Sequence, residues 1–275
     1  MWDVRAQSWS SRPNSAEIAS GPCHTAPVGT LAYSDERLAE LYDLLNRWGP
    51  SDDFYLDLVM SAGSVLDVGC GTGVLLHRAR TSHHTGRLSG LDPAAAMLAR
   101  AHRYPDIEWA LGDLTNTAWR QEFDLVIMTG HAFQELRSEE QIRTSLATVR
   151  EALTDGGRFA FETRNPAARA WEQWTPDNAV EVIDAAGDVV RVEHRVETPV
   201  DEDVVHFTET FTSTSWHRPK VSHSSLRFLD PGSLSNYLAD AGLVVEEQFG
   251  DWARGPLSAA SAEIITIARR SPKAG

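Results

Sequence analysis

The sequence predicts an α/β fold: a mainly parallel sheet with helices on both faces, and an antiparallel β insert laid against it. Three observations predict it. Short β-rich runs alternate with helix-like segments between residues 64 and 163. A glycine loop, "VLDVGCGTG" at 65–73, follows the first of those runs. After Pro166 the rhythm changes to consecutive strands, clearest in "VVRVEHRVE", where Val190, Val192, His194 and Val196 take one face and Arg191, Glu193, Arg195 and Glu197 the other.

In chain order, residues 1–30 are polar and lack periodicity, and are expected to form a loose leader or a lid that orders on ligand. "SDERLAELYDLLNRW" places Leu38, Leu41, Tyr42 and Leu45 at helical spacing after Ser34, the expected N-cap. A second helix covers "DDFYLDLVMSA". The runs "SVLDVG", "RLSGLD", "IEWALG", "FDLVIMT" and "GRFAFET" are the parallel strands, with helices at 74–80, 94–102 and 138–153 between them. In such sheets ligands bind beyond the carboxyl ends of the strands. "VVHFTETFTSTSW" and "VSHSSLRFL" continue the insert, with turns near Ala186-Gly187, Asp201 and Pro219. The helix "DPGSLSNYLADAG" and the strands "LVVEEQF" and "AEIITIARR" return to the core. Four parts follow: an N-terminal lid with helices at 1–60, a core at 61–177, a cap insert at 178–229, and the C-terminal part of the core at 230–275.

Composition excludes several classes of partner. The chain has 275 residues and 42% hydrophobic content, enough for one large elaborated domain or two small ones. The net charge of −14, with no run of Lys and Arg, repels phosphate backbones, so no nucleic-acid partner is expected. Cys23 and Cys70 are far apart, and Cys70 sits in the glycine loop, which points to a reducing compartment. The first twenty residues lack the apolar core of a signal peptide, and no apolar stretch approaches the ~20 residues that span a bilayer. The expectation is a cytoplasmic protein with no membrane partner; a homo-oligomer stays open.

The glycine loop discriminates between cofactors. Gly69, Gly71 and Gly73 are spaced G-x-G-x-G, and Val74 stands where a dinucleotide loop has its third glycine. No Lys-Ser or Lys-Thr follows, so a triphosphate cradle is excluded. Asp67 would repel a pyrophosphate and suits a cofactor that carries positive charge.

With these residues in place, "VLDVGCGTG" resembles the first motif of the class I S-adenosylmethionine-dependent methyltransferases. "LSGLDP", "ALGDLTN", "FDLVIMTGHAFQEL", "LTDGGRFAFETRNP" and the closing "LADAGLVVEEQFGDW" and "AEIITIARR" follow in that family's order. "DDFYLDL", "TGHAFQ", "FETRNP" and "GDW" are similar to a bacterial small-molecule subgroup, and the resemblance spans about residues 30–270. It implies a Rossmann-like seven-stranded methyltransferase sheet with the insert as substrate cap. It also implies S-adenosylmethionine as cofactor and S-adenosylhomocysteine as product. By the same resemblance the cofactor is held by Asp67, Gly69, Cys70, Gly71 and Gly73, and by Asp92 with Pro93, Asp92 accepting from both ribose hydroxyls. Met97, Gly112 and Thr129 line it, Asp113 takes the adenine amino group, and the Leu114 amide meets the ring.

The acceptor is narrowed by absent motifs. No Asn- or Asp-Pro-Pro-aromatic run follows strand four, and no Pro-Cys nucleophile is present, which leaves a small organic metabolite. Nine tryptophans, with Trp171, Trp174, Trp216 and Trp252 in or near the cap, point to an aromatic or heteroaromatic acceptor: a phenol, an indole-like ring or an arylamine. Trp216, Glu162 and Arg164 are the expected substrate contacts, Arg164 for an acceptor carboxylate. Tyr33, His131 and His206 are the candidate bases, and His194 is read as structural. No Cys or His spacing indicates a metal. Two other readings stand beside this one: a non-catalytic cofactor-binding partner subunit, and an NAD-dependent oxidoreductase, which Val74 disfavours.

Overall fold

The structure is a computed structural model and describes residues 30–103, 105–200 and 203–271. The polar leader, Cys23 and the turn at Asp201 lie outside the described residues. The chain enters through α1 (Leu31–Ser34), α2 (Glu36–Leu45) and α3 (Pro50–Met60). The N-cap of α2 is Asp35, not Ser34: the Asp35 carboxylate accepts the Leu38 N–H at 3.1 Å. Ser34 is drawn into α1, where its hydroxyl donates to the Thr30 carbonyl at 3.2 Å.

The core alternates as β1 (Ser64–Val68), α4 (Val74–Thr81), β2 (Arg87–Asp92), α5 (Ala95–Ala101), β3 (Glu108–Leu111), β4 (Phe123–Met128), α6 (Glu139–Ala152) and β5 (Leu153–Arg164). Period-2 alternation divides the side chains of these strands between two cores. Leu66, Val126, Phe159 and Phe161 pack under Ile142, Leu146 and Val149 of α6. Val65, Leu125, Ile127 and Ala160 pack under α3 and α4. A strand buried on both faces is what a near-continuous apolar run encodes. Helix α6 starts at a capping box: Ser138 Oγ accepts the Gln141 N–H at 3.1 Å and Gln141 Oε1 accepts the Ser138 N–H at 3.0 Å.

A second sheet follows, antiparallel throughout, in the order of β6 (Val180–Ile183), β7 (Val189–Val196), β8 (Val204–Ser213) and β9 (Lys220–Arg227). Strand β6 falls inside the insert expected at 178–229, before the turn at Ala186-Gly187, but was not read as a strand: it is an edge strand of four residues with only Val182 buried. Three single-turn 3-10 helices between Pro166 and Asn178 were likewise unforeseen. The chain closes with α7 (Pro231–Asp240), β10 (Leu243–Phe249) and β11 (Glu263–Arg270).

The large sheet has the order β3-β2-β1-β4-β5-β11-β10, parallel from β3 to β5, with β11 antiparallel to both its neighbours. Strand order reverses between β1 and β4, the switch point at which such sheets open a crevice. Helices α1 and α2 fill the space between the two sheets: Ala32, Leu38 and Leu41 pack on Val190, Val192 and Phe211. Among the described residues no helix is long and apolar enough to cross a membrane.

One position in the glycine loop admits no side chain. Gly73 has φ 75°, and a Cβ there would lie 2.4 Å from Trp109 Cη2. Gly73→Ala combines a left-handed backbone cost with overpacking, so it is expected to destabilise the protein by roughly 2–4 kcal/mol. Urea denaturation of the purified variant checks it.

Candidate active site

The crevice at the switch point starts from Asp67, at the end of β1 and only 1% exposed. Its Oδ1 has no hydrogen-bond partner among the described residues. Burial, then Asp92 and Glu162, push its pKa up to about 8. Asp92, at the end of β2, ties the loop down: Oδ2 accepts the Gly71 N–H and Oδ1 the Ala94 N–H, each at 2.8 Å. Its carboxylate keeps lone pairs for further donors. A Cβ placed on Gly71 would be in van der Waals contact with Tyr42 Cε1, at 3.8 Å, so the tyrosine ring stands over the loop and leaves room for one methyl-sized group between them.

An orphaned carboxylate beside an open cradle fits a cofactor with an ammonium and a sulfonium. It does not fit a pyrophosphate. The other expected cofactor contacts are distributed around this crevice. Asp113 closes its own turn, accepting the Thr115 N–H at 2.7 Å. Gly112 has φ 152° and lies against Asn116, Thr129 is half-buried beyond β4, and Pro93 is exposed. Met97 packs with Ala39 and Ala94 beside Tyr33 and Tyr42, and the Leu114 side chain belongs to the main core. The Cys70 side chain turns away from the crevice: its thiol packs with Leu98, Ala101 and Trp109, and its amide donates to the Leu91 carbonyl at 3.2 Å.

The Asp67 environment predicts a pH dependence. An unfolded Asp loses its proton near pH 4, whereas folded Asp67 holds it to about 8. The folded chain therefore binds more protons between those values, and the stability this group contributes is lost as pH rises through that window. Asp67→Asn cannot ionise. It is expected to raise the thermal midpoint of the cofactor-free protein more at about pH 9 than at about pH 5, while weakening cofactor binding. Calorimetry at the two pH values checks the first effect.

Beyond β4 the chain turns through Gly130 and His131, both at φ 63°. A non-glycine residue in the left-handed region needs support, and Glu162 of β5 supplies it: Oε1 accepts the His131 N–H at 2.8 Å and Oε2 accepts the Tyr55 hydroxyl. His131 Nε2 lies 3.0 Å from Glu263 Oε2, at the start of β11. One step outward on β5, Arg164 donates from its backbone and its guanidinium to Gln134 Oε1, both at 3.2 Å, and lies 5.3 Å over the Trp174 ring.

The second sheet faces this group with Glu209, whose carboxylate is 3.3 Å from His194 Nε2. Tyr33 stands between the two sheets in the field of Glu135, Tyr42, Glu209 and Arg164. Burial first, and the neighbouring carboxylates next, hold the Tyr33 phenol well above its usual range, so it keeps its proton and acts as a donor rather than a base. Burial likewise raises Glu135 to about 7, opposed by Arg137 and Arg164 and reinforced by Glu209.

The structure thus gathers His131, Arg164 and Tyr33 above Asp67 and Asp92. It does not bring His206 there. Along β8 the inner face carries Val205, Phe207 and Phe211, so strand alternation turns His206 outward, where Nδ1 meets Ser225 Oγ at 2.7 Å. Trp216 packs beside Ala32, Leu38 and Phe211 under the Arg37 guanidinium, away from Arg164. Glu162, expected as a substrate contact, is only 1% exposed and instead supports the turn after β4, one oxygen accepting the His131 amide and the other the Tyr55 hydroxyl. Trp171 packs on Phe228, and Trp252 on Phe54 and Tyr55; only Trp174 reaches Arg164.

Glu135, Glu209, Glu263, Tyr42 and Tyr55 were not singled out from sequence. Glu263 carried a usable signal: an antiparallel strand beside parallel ones begins at their carboxyl ends, and Glu263 pairs with Arg164.

Comparison with known proteins agrees with this geometry. The family model described as a methyltransferase domain matches residues 65–157. The chain is 35% identical over 154 residues to the 2-phytyl-1,4-naphtoquinone methyltransferase of Thermosynechococcus vestitus, covering 50% of this chain and 67% of that one. It is 30% identical over 190 residues to the dTDP-3-amino-3,4,6-trideoxy-alpha-D-glucopyranose N,N-dimethyltransferase of Streptomyces venezuelae, covering 62% and 75%. Its fold is similar to that of SAM-bound CalS10, an amino pentose methyltransferase from Micromonospora echinaspora, with a TM-score of 0.64 at 22% identity over 84% of this chain and 97% of that one. A parallel sheet with its switch point at an unpartnered aspartate, and these likenesses in sequence and fold, lead to one conclusion: the chain belongs to the S-adenosylmethionine-dependent methyltransferases and is an enzyme of that class.

Proposed function

We propose that the enzyme methylates a small aromatic or heteroaromatic metabolite whose acceptor atom carries a proton, and that His131 removes that proton. The observation that carries the reading is the fixing of His131 by Glu162 and Glu263 at the carboxyl end of β4, beside the crevice of Asp67 and Asp92.

S-adenosylmethionine, when bound, supplies a methyl group already made electrophilic by a sulfonium. What this chain's residues add is holding, drying and proton removal. Asp67 meets the positive end of the cofactor and Asp92 its ribose. Tyr42 covers the glycine loop, and the second sheet with α1 shields the acceptor from water. Arg164, braced by Gln134, receives an acceptor carboxylate, and Tyr33 donates a hydrogen bond to the acceptor. The residues from 178 to 229 act as the substrate cap in this reading.

An amine acceptor is the second reading. Glu135 and Glu209 favour it, since they place negative charge around Tyr33, and so does the N,N-dimethyltransferase name of one relative. Among aromatic acceptors an arylamine satisfies both. Incubation of a metabolite library with the enzyme and a trideuteromethyl donor, read by mass spectrometry, decides: labelled phenols, ring N–H compounds or arylamines support the first reading, and label confined to aliphatic amines selects the second.

A further inference from the structure

We propose that Glu263 is a positioning residue for His131: it fixes the ring with hydrogen on Nε2 and leaves the Nδ1 lone pair as the site that takes the acceptor's proton. The inference rests on the reading of His131 as the base. It starts from the pairing of two residues 132 positions apart, His131 Nε2 and Glu263 Oε2, at 3.0 Å.

Three features show that the pair is a built arrangement. Both side chains are largely buried, at 20% and 18% exposure, so water competes little for the bond. The backbone of His131 is held at φ 63° by Glu162, which itself takes the Tyr55 hydroxyl, so the point from which the ring projects is fixed by two further bonds. The register of β11 on β5 sets Glu263 opposite Arg164, at the edge where the parallel strands end.

A carboxylate accepts and a neutral imidazole has one N–H to give, so the bond to Glu263 assigns that hydrogen to Nε2. When the acceptor attacks the methyl carbon, its bond to hydrogen breaks and the proton passes to Nδ1. The electron pair left behind completes the new bond, and the sulfur keeps the pair of the bond it loses. His131 is then an imidazolium between Glu263 from β11 and Glu162 from β5, and around these two carboxylates stand Tyr55 from α3, Arg164 from β5, Asp67 from β1 and Tyr42 from α2. Both carboxylates stabilise the charge that forms, the role a buried acid plays behind a catalytic histidine.

The test uses the full chain loaded with S-adenosylhomocysteine and selectively 15N-labelled at histidine. Ring-nitrogen spectra are expected to show His131 as the Nε2–H tautomer in the wild type. In Glu263→Gln the amide offers both a donor and an acceptor, and a mixture of tautomers is expected. With the phenol or arylamine labelled in the library screen, Glu263→Gln is expected to lower kcat at least about tenfold with an unchanged Kd for S-adenosylmethionine. Glu263→Asp keeps the charge and recovers part of the loss. A His131→Ala, Glu263→Gln double variant is no slower than His131→Ala alone.

A wild-type spectrum showing His131 as the Nδ1–H tautomer overturns the proposal without any variant. So does a Glu263→Gln enzyme with wild-type kcat. Full turnover in His131→Ala overturns the underlying assignment of the base instead, while the spectra still report separately on Glu263.

Discussion

Replacing His131 with alanine is expected to lower turnover by about 10²–10⁴ while leaving the affinity for S-adenosylmethionine near that of the wild type. The separation follows from where the residue stands. His131 is fixed through its amide to Glu162 and through its ring to Glu263, and neither contact involves the glycine loop. In the proposed reading the cofactor is held elsewhere, by Asp67 and Asp92 at the ends of β1 and β2. Removal of the ring therefore strips out proton transfer and leaves the cofactor's cradle intact. Tyr33→Phe should cost less, since a phenol held protonated by burial contributes a hydrogen bond and no base. His206→Ala should leave turnover unchanged, because the side chain is on the outer face of β8. Single-turnover kinetics beside calorimetric titration separate the two quantities. Wild-type turnover in His131→Ala would mean that the acceptor arrives deprotonated and that the site works by positioning alone.

The second large effect concerns cofactor affinity. Asp92→Ala is expected to weaken S-adenosylmethionine binding by about 10²-fold or more, and Asp113→Ala by roughly 10–10²-fold. Asp92 stands to lose two ribose hydrogen bonds and Asp113 one to the adenine amino group, each bond with a charged partner contributing about 1.5–3 kcal/mol. The structure widens the gap. Asp92 also holds the Gly71 and Ala94 amides, so its loss loosens the loop that shapes the site. Asp113 secures only its own turn through Thr115. Titration calorimetry on the two variants checks the order, and equal, wild-type affinities would show that neither carboxylate meets the cofactor.

The elements that were legible in the sequence are those with an internal period. Strands β1, β2, β4 and β5 are apolar runs because both their faces are buried, and the helix expected at 138–153 is α6. The cofactor class was legible for a similar reason: the spacing of Gly69, Gly71 and Gly73 after Asp67 is local, and backbone conformation there depends on glycine. Strand β6 was not legible, since four edge residues with one buried side chain carry no detectable alternation.

The acceptor side was decided by tertiary structure alone. His206 and His194 occupy strands of the same type; alternation places His194 with Val190, Val192 and Val196, but does not say what that face packs against. Packing of α1 and α2 on Val190, Val192 and Phe211 makes the His194 face the inner one and sends His206 outward. Trp171, Trp216 and Trp252 were equally ambiguous, and the structure spends them on Phe228, Ala32 and Phe54. Glu263 meets His131 only because β11 runs antiparallel beside β5 and begins where the parallel strands end. The sequence by itself therefore determined the sheet, the glycine loop and the charge of the cofactor, all encoded within about ten neighbouring residues each. Which side chains stand together beside the Asp67 crevice was settled by strand register and by the face that burial selects, because those pairings join residues from 30 to 132 positions apart on different elements.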